Sequence, residues 1–193
     1  SELQGQVHSI EAIVTGSYAD EQAQTWLFLQ EAETDMDLNP LTSEGMAVQA
    51  GDISAAPGDI IRVTGRVSEH AGITSLTETR WDDFCNSAAL PSATPLSLPW
   101  TQNSDLEVLE AMRVVLAQTL YIIDNHRLGD LAELELSAQK RLLQATQAVQ
   151  PGSTAFEWQA ALARNRLPLV YDHATVNAGV IPYPAPQLSA LNT

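Results

Sequence analysis

The sequence predicts a mainly β protein: a small five-stranded barrel followed by a second β-rich segment containing one clear helix. Two observations carry this prediction. In Asp59–Leu76, DIIRVTGRVSEHAGITSL, residues Ile61, Val63, Gly65 and Val67 fall on one face, and Arg62, Thr64 and Arg66 on the other. Such period-two alternation marks a half-buried strand in a curved antiparallel sheet, and the Gly-containing turn after His70 makes the stretch a hairpin. The second observation is density. Roughly five strand-like stretches occupy the first hundred residues, with no long helix among them, which suits a closed barrel of the OB-fold type.

Each element has its own justification. From His8 to Tyr18, the residues Ile10, Ala12, Val14 and Gly16 alternate with Ser9, Glu11, Ile13 and Thr15. TWLFLQ (Thr25–Gln30) is dense in β-formers, and GMAVQA (Gly45–Ala50) follows an acidic loop. The Asp59–Leu76 hairpin completes the set, with Gly65 placed where a barrel strand bends or carries a bulge. Asn86–Leu98, NSAALPSATPLSL, is rich in Ser, Ala and Pro and reads as an extended linker. The expected organisation is a barrel domain over 1–85, a linker over 86–99 and a second segment over 100–193.

In that second segment Ser104 and Glu107 have capping-box spacing and predict a short helix. Met112–Asp124 is apolar and β-branched, hence a strand or strand pair. Ala132, Leu134, Leu136 and Ala138 alternate with Glu133, Glu135 and Ser137, and Arg141–Thr146 is a candidate partner strand. Thr154–Arg166 predicts the one clear helix, with a second capping box at Thr154 and Glu157. The tail, IPYPAPQ, carries three prolines and is expected to be extended.

Charge narrows the function classes. Among 193 residues, 24 are acidic and nine basic, a net charge of −15. Strong autonomous nucleic-acid binding needs clustered Lys and Arg to neutralise phosphates, so this balance disfavours it. It fits a solubilised or cation-binding surface. Cys85 is the single cysteine, so no internal disulfide forms. No stretch approaches the ~18 apolar residues of a membrane span.

Three groups of residues are candidates for function. Arg62, Thr64 and Arg66 share one strand face of the expected barrel. Trp26 and Phe28 alternate along the second strand and would stack bases if exposed. The competing reading places the two aromatics inside the barrel and pairs the arginines with acids. In EAETDMDLNPLTSE (Glu31–Glu44), Asp35, Asp37 and Asn39 alternate, and with Glu44 they form a candidate oxygen site for a hard cation such as Ca²⁺. Pro40 follows Asn39 where an EF-hand requires Gly, so that motif is excluded; the alternative is a solvated acidic turn. His8, His70, His126 and His173 show no zinc-ligand spacing. The chain contains no nucleophile elbow, phosphate-binding glycine loop or dinucleotide fingerprint.

A resemblance adds to this reading. The pieces IVTG (Ile13–Gly16), LFLQ (Leu27–Gln30), TSEGMAV (Thr42–Val48) and IRVTGRVSEHAGITSL (Ile61–Leu76) open an ordered set. LEAMRVVL (Leu109–Leu116), DNHRLGDLAELELS (Asp124–Ser137), RLLQATQAVQPGS (Arg141–Ser153), ARNR (Ala163–Arg166) and IPYPAPQLSALNT (Ile181–Thr193) continue it. Together they resemble the region preceding the catalytic domain in ExeM/NucH-type extracellular endonucleases of Gram-negative bacteria. The resemblance implies a secreted or cell-surface protein with an OB-fold-like domain, a second β-rich segment that runs on past Thr193, and a metal-dependent nuclease domain downstream. This chain would then be non-catalytic. Its partners would be DNA or RNA, bound weakly, and that downstream domain; the rival is a structural or Ca²⁺-stabilised spacer with no ligand of its own.

Overall fold

The computed structural model describes residues 3–20, 22–37, 39–102 and 104–170, apart from the side chains of 83–85 and 130–131. The Cys85 thiol and the proline-rich tail therefore lie outside the described residues. The chain divides into two compact units, Ser1–Gln118 and Thr119–Thr193.

The first unit is built on strands β1 (Val7–Ala19), β2 (Thr25–Gln30), β3 (Gly45–Gln49), β4 (Asp59–His70) and β5 (Ile73–Ser87). They close into a barrel in the order β1-β2-β3-β5-β4, the OB-fold-like arrangement that the strand pattern predicts. Closure depends on the length of β1. At ~3.3 Å per residue its 13 residues are long enough to serve two partners. Its first half pairs with β4 (Val7↔Arg66 to Ile13↔Ile60) and its second half with β2 (Ile13↔Gln30 to Ala19↔Thr25). A register shift between Val14 and Gly16 marks the irregularity in the β1–β2 pairing. A parallel pairing, Ala47↔Ser75 and Val48↔Leu76 between β3 and β5, seals the cylinder.

The interior follows the predicted alternation. Val14, Leu27, Leu29, Val48, Ile61, Val63, Val67 and Leu76 form the core, and most of these are fully buried. Gly65 sits at a register shift between β4 and β5, as expected for a bending strand. A Cβ there would stand 3.0 Å from the Thr77 carbonyl oxygen and 3.1 Å from Leu76 Cβ, so a side chain would make these neighbours give by a few tenths of an ångström.

Residues 86–118 belong to the barrel unit rather than forming a free linker. Thr94–Pro95 (β6) pairs in parallel with Val114–Val115 (β7), and the four-residue helix α1 (Ser104–Glu107) lies between them. The Ser92 amide donates to Glu33 at 3.0 Å, and the Arg113 guanidinium donates to the Pro91 carbonyl. Serine and proline content predicts an extended linker over Asn86–Leu98. Composition carries no information about the wall that such a chain docks on.

The second unit contains an antiparallel sheet of order β10-β9-β8, from β8 (Tyr121–Asp124), β9 (Glu133–Ser137) and β10 (Leu167–Val170). Helix α2 (Leu128–Leu131) precedes β9, and α3 (Ala145–Ala148) and α4 (Ser153–Ala163) lie between β9 and β10. The partners of β9 are thus β8 and β10, not Arg141–Thr146, whose end leads into α3 through a capping box at Gln144 and Gln147. Pro168 disguises β10 in the sequence, yet an edge strand tolerates proline. Helix α4 occupies most of the predicted Thr154–Arg166 helix, but its N-cap is Gly152 with no side-chain cap bond, so the Thr154–Glu157 box does not form.

Candidate nucleic-acid interface

The outer wall of β1, β4 and β5 carries the polar row expected from β4. Arg62 and Arg66 are exposed between buried Ile61, Val63 and Val67, because alternate strand residues point to opposite faces. Cross-strand register aligns Glu11 with Arg62, Ser9 with Thr64 and Arg80, and Val7 with Arg66. Each arginine of this wall has a carboxylate partner. Arg62 pairs with Glu11, Arg66 Nε donates to Glu78 at 3.1 Å, and Arg80 donates to Asp82 at 3.1 Å. Arg66 also donates to the Gly5 carbonyl at 2.6 Å. The Thr64 hydroxyl is 2.5 Å from that of Ser9 and donates to Asp82. That hydroxyl, with Arg80 alongside, holds the Asp82 carboxyl below its ordinary range. Exposed pairs of this kind contribute about 0–1 kcal/mol each.

The outer face of β2 and β3 is the usual ligand face of an OB barrel, flanked by the β1–β2 and β4–β5 loops. Leu27 and Leu29 point inward, so Trp26, Phe28 and Gln30 point outward. The two aromatics therefore do not fill the barrel. Trp26 is nevertheless only 5% exposed. The His70 imidazole stacks on its ring with centroids 4.3 Å apart and planes 25° apart. Asp20, in the β1–β2 loop, accepts the Trp26 indole N–H at 2.9 Å and the Gln22 and Gln24 amides at 3.0 and 2.9 Å. It also lies 3.8 Å from His70 Nε2. Burial pushes the Asp20 carboxyl up, but the Trp26 bond, the two amides and His70 outweigh it and leave the group below its ordinary range.

The other end of this face is covered by residues 110–113. The Ser43 hydroxyl donates to the Glu110 carbonyl at 2.6 Å, the Thr74 amide to the Glu110 carboxylate at 3.2 Å, and the Arg113 amide to Gln30 Oε1 at 3.0 Å. A Cβ on Gly45 would collide with the backbone of Glu110, Ala111 and Met112, so Gly45 is required for the approach. Gln30 is 1% exposed, and its Nε2 has no hydrogen-bond partner among the described residues. Burial pushes the Glu110 carboxyl up, and Glu107 and Glu69 add to this against the Thr74 amide.

No family model, curated protein or solved structure matches the chain.

The acidic loop is stitched by its own side chains. Asp37 Oδ1 accepts the Asn39 amide at 2.7 Å, Asn39 Oδ1 accepts the Leu41 amide at 3.1 Å, and Asp35 accepts the Thr34 hydroxyl at 3.2 Å. The first two are Asx-turn contacts. Glu44 is pushed above its ordinary range by burial and by Asp37 and Glu31. Among the described residues no group of three or more His, Cys, Asp and Glu side chains is arranged to hold a metal ion. His8 lies on β1, His70 at the end of β4 and His126 ahead of α2, and His173 is outside the described residues.

The second unit has a charged cleft of about 330 Å³ lined by Asp124, His126, Arg127, Glu133, Glu135 and Arg166. Its arginines are ion-paired, Arg127 with Glu133 at 3.0 Å and Arg166 with Glu135 at 3.0 Å, and His126 Nδ1 lies 2.7 Å from Asp124 Oδ1. Sequence reading misses this cleft because Arg127, Glu133 and Arg166 come from three separate segments. It also misses Asp20, Glu110 and the cover that His70 supplies. An Asp ahead of two turn residues is the one local signal that could have found Asp20.

Proposed function

We propose that this chain is a non-catalytic, nucleic-acid-positioning module of a secreted metal-dependent nuclease, with DNA or RNA lying weakly along the outer wall of the barrel. The observation that carries the reading is the register-aligned row of exposed Arg62 and Arg66 with half-buried Thr64 between them, on a closed OB-type cylinder. Guanidinium groups held in exchangeable ion pairs can pass from carboxylate to phosphate, and Thr64 and Ser9 add hydroxyl contacts. The nuclease context, the secretion and a catalytic domain downstream rest on the ordered resemblance to ExeM/NucH-type enzymes. Weak binding follows from charge: residues 1–118 hold 18 acidic and four basic side chains. The test is fluorescence anisotropy of labelled single-stranded DNA at low salt. Arg62→Ala with Arg66→Ala is expected to remove most of the signal; an unchanged isotherm would reject this wall.

A second reading has an observation of its own. Covering of the β2–β3 face by residues 110–113 favours a structural module that packs beside a catalytic domain without a ligand. Absence of any DNA signal at low salt would select it. The Ca²⁺-stabilised version requires the Asp35, Asp37, Asn39 and Glu44 loop to take a cation. It predicts a rise in melting temperature with Ca²⁺ that chelator reverses and that Asp35→Ala with Asp37→Ala abolishes.

A further inference from the structure

The Trp26 ring is placed between the two loops that flank an OB ligand face, yet one side of it is filled by a planar heteroaromatic ring from the chain itself. We propose that Trp26 is a base-stacking subsite for single-stranded nucleic acid, and that His70 is the gate that fills it in the free protein. The inference rests on the nucleic-acid reading above and extends it from the arginine wall to a second contact.

The geometry supports this in three ways. The imidazole lies 4.3 Å from the indole and only 25° from parallel, the disposition a nucleobase takes on a tryptophan. The ring is fixed from behind: Asp20 accepts the indole N–H, and the same carboxylate is anchored by the Gln22 and Gln24 amides. Trp26 therefore stays oriented whether His70 is present or not. The gate itself is the last residue of β4, where the β4–β5 ladder ends. His70 pairs with Ile73 across a two-residue turn, Ala71 and Gly72, both with positive φ (52° and 83°). That turn stands at the tip of the hairpin, and the His70 side chain is 46% exposed, so swinging it outward breaks no core contact. Among the described residues its polar tie is the 3.8 Å approach to Asp20.

The test compares His70→Ala, His70→Ser and His70→Phe with the unaltered protein, each shown first to melt cooperatively, using oligothymidylate as probe. Removing the imidazole is expected to tighten binding roughly tenfold, within the range of one base–indole stack, and to add a quenching of tryptophan fluorescence that Trp26→Phe eliminates. His70→Phe keeps a ring on Trp26 and is expected to leave affinity at the starting level. Binding that depends on Arg62 and Arg66 but is unchanged in His70→Ala and His70→Ser would overturn the gate and leave the arginine wall standing. No binding by any of these proteins at low salt would overturn both.

Discussion

Asp20 is the residue on which most local structure converges. It closes the β1–β2 loop through two amides and satisfies a buried indole N–H. Asp20→Ala leaves that N–H without a partner and is expected to cost about 1–3 kcal/mol, read as a lower denaturation midpoint. The pH dependence follows from the same bonds. Because the folded protein holds this carboxyl below its ordinary value, its contribution is present above the unfolded aspartate range and is lost as pH falls through the lower folded value. The Asp20→Ala variant should therefore lose less stability than the unaltered protein between pH 5 and pH 2, taken as about the span over which aspartates protonate. Glu110 has the opposite sign. Its carboxyl is raised, so its charge opposes folding at neutral pH, and the stability it withholds returns as pH falls below the folded value. Glu110→Gln keeps an oxygen for the Thr74 amide and is expected to match or exceed the starting melting temperature at pH 7, whereas Glu110→Ala lowers it.

At the scale of elements, the hairpin of β4 and β5 was legible because its interior and exterior residues alternate without interruption from Ile61 to Val67. Its glycine bulge was legible for the same reason: Gly65 interrupts nothing on the inner face. Strand β10 was hidden, since Pro168 removes a ladder donor and reads as a break until the strand is known to be an edge. The resting place of residues 110–113 was hidden for a different cause. Its contacts join the Glu110 carbonyl and carboxylate and the Arg113 amide to Ser43, Thr74 and Gln30, each more than 30 residues away, and no local sequence pattern announces them. Gly45 gives the sharpest test of that docking. Gly45→Ala places a methyl against the Glu110–Met112 backbone, and the expected result is a destabilisation of about 1–3 kcal/mol. If those residues are undocked in solution, the substitution is neutral.

At the scale of the whole molecule, charge is unevenly divided. Residues 1–118 hold 18 acidic and four basic side chains, while residues 119–193 hold six and five. The totals were readable from composition; their division depends on knowing that the first unit ends after Gln118 instead of within 86–99. Candidate site residues were readable only in part. The facing of Arg62, Thr64 and Arg66 followed from period-two alternation, and the outward direction of Trp26 and Phe28 follows from Leu27 and Leu29 taking the interior. Neither pattern could reveal that carboxylates answer the arginines or that an imidazole lies on the indole, because those partners are set by barrel closure. With so many acids nearby, whatever nucleic acid binds must do so through few phosphate contacts. The salt dependence of single-stranded DNA affinity measures that number most directly. Two contacts, from Arg62 and Arg66, predict a decline of log affinity with log salt of slope about 1.4, falling toward zero in the double Arg→Ala variant. A slope near zero in the unaltered protein, or no binding at the lowest salt, would contradict the account.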